Sequence, residues 1–299
     1  MTHTRAIQKA YIASKYIYTT QYYSEDTNGH KGITLLSRFL IDEKNKVARF
    51  QDSMKLCGFG HGETLEWFEH KNKPYLLIGC KNNTSSVDGQ TPSSNWSMQI
   101  GRIQYVPGAS IQYQEVCRFA NLDHANKTGS NFGRVKRVAA ALSTDRSKIL
   151  FRVENTENNL QYSCYNFDAL MNLLDKKDNG SPDAKYISFE NNNTLKNECK
   201  FSFTQNRDQL VKPNDSFQGM EFSNGGSIYV AGGKKEDIPQ IAKMDGLNHS
   251  YSALVNIINN KKREIEGLQI KADNIYFGIC DHTNKSQQYI YSVKKTCFE

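Results

Sequence analysis

The sequence predicts an all-β protein: one five-bladed β-propeller over residues 1–299, with short helices in inter-strand connections. Two observations carry this expectation. Three strand signals recur in a fixed order five times along the chain, and the composition, 16 Tyr and 15 Phe against 6 Pro, favours strands and turns over long helices.

The first signal is a polar opener followed by apolar residues two and four places on. It appears as Gln8 with Ala10 and Ile12, Glu63 with Leu65 and Trp67, Gln218 with Met220 and Phe222, and Glu266 with Leu268 and Ile270. In the third copy Val138 replaces the polar opener, directly after Arg137, and leads to Ala140 and Leu142. Side chains two apart share one face of a strand, so each opener buries the same stripe. A small residue follows four of the five openers (Thr64, Ala139, Gly219, Gly267), as crowding near a common axis requires.

A turn and a second strand follow each opener: "KYIYTT" from Lys15, "PYLLIGC" from Pro74, "SKILFRV" from Ser147, "GSIYVAG" from Gly226 and "NIYFGIC" from Asn274. The third strand repeats the form apolar, any, polar, apolar. It reads "LSRF" from Leu36, "IGRI" from Ile100, "CYNF" from Cys164, "IAKM" from Ile241 and "IYSV" from Ile290. Openers spaced by 55, 75, 80 and 48 residues are the mark of radial repetition, in which each sheet buries both faces against its neighbours. A β-sandwich also uses many short strands but does not demand this ordered recurrence. The last unit offers three clear strands, so residues Thr2 to Ile7 are expected to complete the final blade.

Helix is minor. "NFDALMNLLDKK", Asn166 to Lys177, has a capping residue, apolar residues at helical spacing and terminal lysines; "SYSALVNIINNKK", Ser250 to Lys262, is read as a second helix, both lying between units. The polar stretches 81–95 and 176–183 read as surface loops.

No run reaches the roughly 18 apolar residues of a membrane span, so no transmembrane segment is expected. The opening twenty residues lack an apolar core followed by a cleavage site, which predicts synthesis in the cytoplasm without a signal peptide. The 7 cysteines are odd in number and never form CxxC, which predicts buried free thiols.

Candidate chemistry is sparse. "GFGHGE", Gly58 to Glu63, has neither a phosphate-loop nor a dinucleotide spacing. His61, His70, His124 and His282 lack partners at metal spacing, so no metal and no cofactor are expected. No serine sits in a nucleophile elbow. The formal charge of +7, with basic runs at Gly133, Lys261 and Val293, suits anionic polymers; no nucleic-acid motif organises these residues, so nucleic acid is not an expected partner. Inner-strand starts converge at one mouth of a propeller channel, which nominates Gln8, Glu63, Arg137, Gln218 and Glu266 as a ligand-binding ring; plain hydration of the channel explains the same polarity. Glu63 and Glu266 also raise the alternative of a carbohydrate-active propeller, a glycosidase-like enzyme or a lectin acting on cell-wall or plant polysaccharide.

Several segments resemble the helveticin J family of class III bacteriocins: "GHGETLEWF" at Gly60, "WSMQIGRI" at Trp96, "TGSNFGRVKRVAAALSTDRSKILFRVEN" at Thr128, "SFQGMEFSNGGSIYVAGGK" at Ser216 and "EIEGLQI" at Glu264. The resemblance runs in order from about Gly60 to Val293. It implies a large, heat-labile antibacterial protein that acts extracellularly on the envelope of related Gram-positive bacteria; the basic charge and the polar ring add an anionic or carbohydrate envelope component as the expected partner, and no catalytic residue is nominated. It departs at the third opener, where the family pattern places a His and an acid and this chain has Arg137, Val138 and Ala139, so a site built on those groups is altered here.

Overall fold

The computed structural model describes residues 5–25, 31–83, 95–206, 213–234, 236–246, 251–284 and 288–299. Their strands form five sheets arranged as the blades of a propeller. Blade one is the meander β1 (Ile7–Ile12), β2 (Tyr16–Glu25), β3 (Lys31–Asp42) and β4 (Val47–Cys57). The next blade opens with β5 (Leu65–His70), β6 (Lys73–Asn82) and β7 (Ser97–Ile103). The β5–β6 hairpin turns through Lys71 and Asn72, both at positive φ, which matches the twist of the strands it joins. The chain then steps back to lay β8 (Ser110–Gln112) parallel to β4, and returns as β9 (Cys117–Ala120) to finish blade two.

Blade three begins with β10 (Val135–Leu142), β11 (Lys148–Asn155) and β12 (Leu160–Asn166). An excursion follows. Helix α1 (Phe167–Asp175) is capped by the Asn166 side chain, which accepts from the Ala169 N–H at 3.0 Å. Strand β13 (Tyr186–Ser188) pairs parallel to β9 of blade two, then α2 (Asn193–Glu198) leads to the outer strand β14 (Cys199–Gln205). The helix expected over Asn166 to Lys177 is thus present, but inside a blade rather than between two. Blade four is β15 (Gly219–Phe222), β16 (Ser227–Gly232), β17 (Gln240–Asp245) and β18 (Tyr251–Asn256). Blade five is β19 (Arg263–Lys271), β20 (Asn274–Asp281) and β21 (Gln288–Lys294).

The five innermost strands are those that the openers mark, and each touches the next around the ring: β1 meets β5 and β19, β10 meets β5 and β15, and β15 meets β19. Apolar clusters fill the junctions, with Leu36, Leu56 and Leu76 between the first two blades, Phe68, Phe119 and Phe151 between the second and third, Met220 and Tyr162 between the third and fourth, and Tyr229, Leu268 and Phe277 between the last two. At the closure of blade five on blade one, amide side chains hold the backbone of β1. Gln269 accepts from the Ile12 N–H at 2.7 Å and donates to its carbonyl at 3.3 Å, and Gln288 accepts from the Ile7 N–H at 3.3 Å. Among the described residues no helix is long and apolar enough to cross a membrane.

Two expectations fail. Ser250 to Lys262 is not helical: the described residues form β18 and a following turn, because Ala253, Val255 and Ile257 alternate inward against the blade-four core while Tyr251 and Leu254 face solvent. Ile7 does not add to the last blade but opens β1, paired with Gln21; Thr2 to Thr4 lie outside the described residues. The cysteines are all free, six buried and Cys297 exposed.

Candidate functional site at the channel mouth

Crowding at the axis is visible in the small residues after the openers. A Cβ at Gly219 would stand 2.7 Å from the Gly267 Cα, and one at Gly267 would stand 2.7 Å from both the Gln8 carbonyl oxygen and the Lys9 Cβ. In blade one this layer carries Lys9 instead, whose long side chain occupies the space its neighbours leave empty.

Lys9 is fully buried and forms the hub of the axis. Its Nζ donates to Glu66 Oε1 at 2.6 Å and to Glu221 Oε1 at 2.7 Å, joining blade one to blades two and four. Glu221 also accepts from the Ile270 N–H at 3.1 Å, and Arg146 stands 3.7 Å from Glu66 Oε2 while donating to the Tyr11 hydroxyl at 2.9 Å. Burial and the adjacent Glu66 push the Glu221 carboxyl up to about 8 against the pull of Lys9. Burial disfavours the Lys9 ammonium, yet the two carboxyls outweigh it and hold its pKa above the ordinary range. These side chains pack the axis beneath the mouth.

The openers lie one layer above. Arg137 donates from Nε to Glu154 Oε2 at 2.8 Å, and its Nη1 lies 3.6 Å from Glu63 Oε1. Its guanidinium is sandwiched between the Trp96 ring at 4.7 Å and the Phe217 ring at 5.0 Å. Lys136 and Arg152 join the same acid, Lys136 Nζ at 3.0 Å from Glu154 Oε1 and Arg152 Nη2 at 3.4 Å from Glu154 Oε2. Burial alone would raise the Glu154 carboxyl, but the charges of Arg137, Arg152 and Lys136 hold it well below the usual range. On the opposite wall Gln218 donates to Glu264 Oε1 at 2.6 Å, and the His282 ring is 2.8 Å from Glu264 Oε2.

Glu266 differs from its neighbours. It is 3 % exposed, and among the described residues no group donates to it or forms an ion pair with it. Burial, together with the charges of Glu264 and Glu63, pushes its carboxyl well above the ordinary range. Burial also raises Glu63, with Arg137 and Arg152 opposing, and raises Glu264 against the hydrogen bond from His282. The mouth therefore presents a carboxyl without a partner among the described residues whose neutral form burial favours, two partnered acids, an amide and an aromatic-clamped arginine. Such a set suits a polar ligand rich in hydroxyl groups.

Of the five ring residues nominated from the sequence, Glu63, Arg137, Gln218 and Glu266 are thus brought into one electrostatic neighbourhood. Gln8 is half-buried beside Gly267 and contributes its backbone to the packing there. Lys9, Glu66, Glu221, Glu154, Glu264 and His282 had not been singled out. The available signal was the third residue after each opener, where Tyr11, Glu66, Glu221 and Gln269 recur as large polar groups, with Ala141 in the third unit.

A family model for bacteriocin helveticin-J matches residues 1–296, which spans all five blades. The chain belongs to the helveticin J family. Bacteriocin helveticin-J of Lactobacillus helveticus is 25% identical to it over 316 residues, covering 93% of this chain and 86% of that protein. Among solved structures, the tail fibre of Staphylococcus aureus phage P68 superposes with a TM-score of 0.58 at 11% identity over 97% of this chain, which spans only 50% of the fibre. An exo-beta-1,3-galactanase of Phanerochaete chrysosporium gives 0.50 at 9% identity over 99% of this chain and 61% of that enzyme. At these identities the two structures share the fold alone; membership of the helveticin J family rests on the sequence match.

Proposed function

We propose that this helveticin J relative is an antibacterial protein that binds the envelope of related Gram-positive bacteria and holds a carbohydrate unit of that envelope at the channel mouth. The observation that carries the antibacterial part is the family match across the entire propeller rather than one blade of it. Assignment to the mouth rests on Glu266, whose carboxyl has no donor or ion-pair partner among the described residues and is not sealed from water, so a ligand hydroxyl can take the place of solvent there. The excess charge of +7 attracts anionic wall polymers over distance, while the acid-rich mouth selects hydroxyl groups at contact. Extracellular action follows from this role.

The test is the double change Glu63→Gln and Glu266→Gln, which keeps size and removes both acids. Labelled wild-type protein is expected to bind whole lactobacilli saturably and in a salt-sensitive manner, and to kill them; the double variant should fold and bind about ten-fold more weakly. Unchanged binding and killing by a folded double variant would remove the mouth from consideration. Release of reducing ends from cell-wall or plant polysaccharide by the wild type would instead support a hydrolytic role for Glu63 and Glu266.

A further inference from the structure

A second recessed site, sharing no residue with the ring of openers, lies where blades one and two meet. It is a crevice of about 210 Å³ whose walls include Tyr18 of β2, Arg38 of β3, Trp67 of β5, Tyr75 of β6, and Gln104 and Tyr105 beyond β7. Four aromatic residues converge here half-buried, with rings reaching solvent where aliphatic side chains would have sealed the junction. Tyr18 and Tyr105 meet edge to face at 5.3 Å.

The polar groups divide into two sets. Arg38 is fixed: it donates to both oxygens of Asp52, at 3.0 and 2.5 Å, and its guanidinium lies 5.1 Å from the Tyr105 ring and 4.9 Å from that of Tyr16. The Tyr105 hydroxyl donates to the same Asp52 at 2.7 Å. By contrast, the Trp67 indole N–H, the hydroxyls of Tyr18 and Tyr75 and the Gln104 amide have no hydrogen-bond partner among the described residues. None of the tyrosine and tryptophan atoms among them is sealed from water, so a ligand's hydroxyl groups can replace solvent on three such groups around one crevice.

The charge balance decides the ligand's chemistry. Arg38 is neutralised by Asp52, and among the described residues no other charged side chain lines the crevice. A phosphate finds no free cation, and a quaternary ammonium entering the aromatic walls meets the Arg38 guanidinium. A neutral ring with one apolar face and a rim of hydroxyls satisfies both the aromatic walls and the unspent donors. The volume is below the roughly 300–1,000 Å³ of sites for drug-sized molecules, which limits the occupant to a single sugar unit of a longer chain. We infer that the crevice between blades one and two is a binding site for a neutral pyranose residue of a glycan, separate from the channel mouth.

Trp67 and Trp96 are the two tryptophans of the chain, one at each site, so each site has its own fluorophore. In the variant Trp96→Phe, emission from Trp67 is followed during titration with methyl glycosides of glucose, galactose, mannose and rhamnose and with N-acetylglucosamine. Choline and glycerol phosphate serve as charged comparisons. Saturable change with at least one neutral sugar, weakened about ten-fold by adding Tyr18→Phe and Gln104→Ala at an unchanged melting temperature, is the expected result. The inference is overturned if no neutral sugar alters Trp67 emission, if choline or glycerol phosphate binds in their place, or if the Tyr18 and Gln104 changes leave affinity as it was. A response confined to Trp96 in the Trp67→Phe variant would assign sugar binding to the mouth alone.

Discussion

The axis and the mouth of this propeller are built from the same residue types, acids facing a few bases, a few residues apart on the same inner strands. They are organised oppositely. At the axis Lys9 is answered by Glu66 and Glu221, Arg146 by Glu66 and Tyr11, and a backbone N–H completes Glu221. At the mouth Glu63 and Glu264 have partners but Glu266, equally buried, has none among the described residues. A partnered buried charge holds parts of a fold together, and among the described residues at the axis only Glu66 Oε2 is sealed from water without a hydrogen bond; the Glu266 carboxyl, its neutral form favoured by burial and its oxygens not sealed from water, joins no blades. The difference separates the region that locks blades from the region we propose for a ligand.

The largest expected effect breaks the lock. Lys9→Met leaves two acids buried side by side without their cation, and removal of one partner from a buried ionic cluster costs about 3–5 kcal/mol. The midpoint of urea unfolding should fall accordingly. Adding Glu66→Gln and Glu221→Gln to Lys9→Met should restore most of the loss, since the unpaired charges are then gone. A single Lys9→Met variant as stable as the wild type would show that the axis holds nothing together.

How much of this was legible in the sequence follows from how local each feature is. The innermost strands were found because alternation over five residues is a property of one segment: Leu65 with Trp67 and Met220 with Phe222 need no knowledge of their neighbours. Lys9 was passed over because β1 carries a bulge between Ile7 and Lys9, which shifts its register against β2 and spoils a face assignment made by counting. Strands β8 and β13 were invisible because each is three residues long and pairs with a sheet from an earlier part of the chain. Around Ser250 a mixed run of Ala, Leu, Val and Ile fits both periods, and only the partner strand β17 decides it. At the mouth, four openers were visible as residues, while the absence of a partner for Glu266 is a property of the assembled ring.

A middle-sized effect sharpens the comparison through pH. The Glu266 and Glu63 carboxyls, raised chiefly by burial, and Glu221 at about 8 keep protons in the folded state that the unfolded chain has released above about 4.3. The folded state then binds more protons, so stability falls as pH rises above about 4.3, until about 8 for Glu221, by up to about 1.4 kcal/mol per pH unit for each such group. Glu154 has the opposite sign: the cations around it hold its pKa low, and its contribution is lost as pH falls below about 4.3. Glu266→Gln should therefore flatten the fall of stability as pH rises above about 4.3, so that the variant loses less stability than the wild type on the alkaline side, even as ligand binding weakens. Unfolding curves at stepped pH test this; an unchanged slope would mean that Glu266 is answered in solution by something other than a proton.

The smallest effect concerns the thiols, and it measures how far water enters the mouth. Cys280 sits behind Glu266 on β20; burial first, and the Glu266 charge second, push its thiol up to about 11. Burial pushes Cys80, Cys117 and Cys164 up to about 12. A thiol is attacked through its thiolate, so at pH 8 these groups are both shielded and protonated, and Cys297 is the exposed exception. A thiol reagent added to native protein should modify one cysteine, and none in a Cys297→Ser variant. Because every cysteine is free, a reductant should leave the melting temperature unchanged. Rapid modification of Cys280 in the native protein would place water behind Glu266 and open the mouth to the depth of β20. Water would then reach past Glu266 into blade five, and the contrast between mouth and axis would become one of solvent access instead of missing partners.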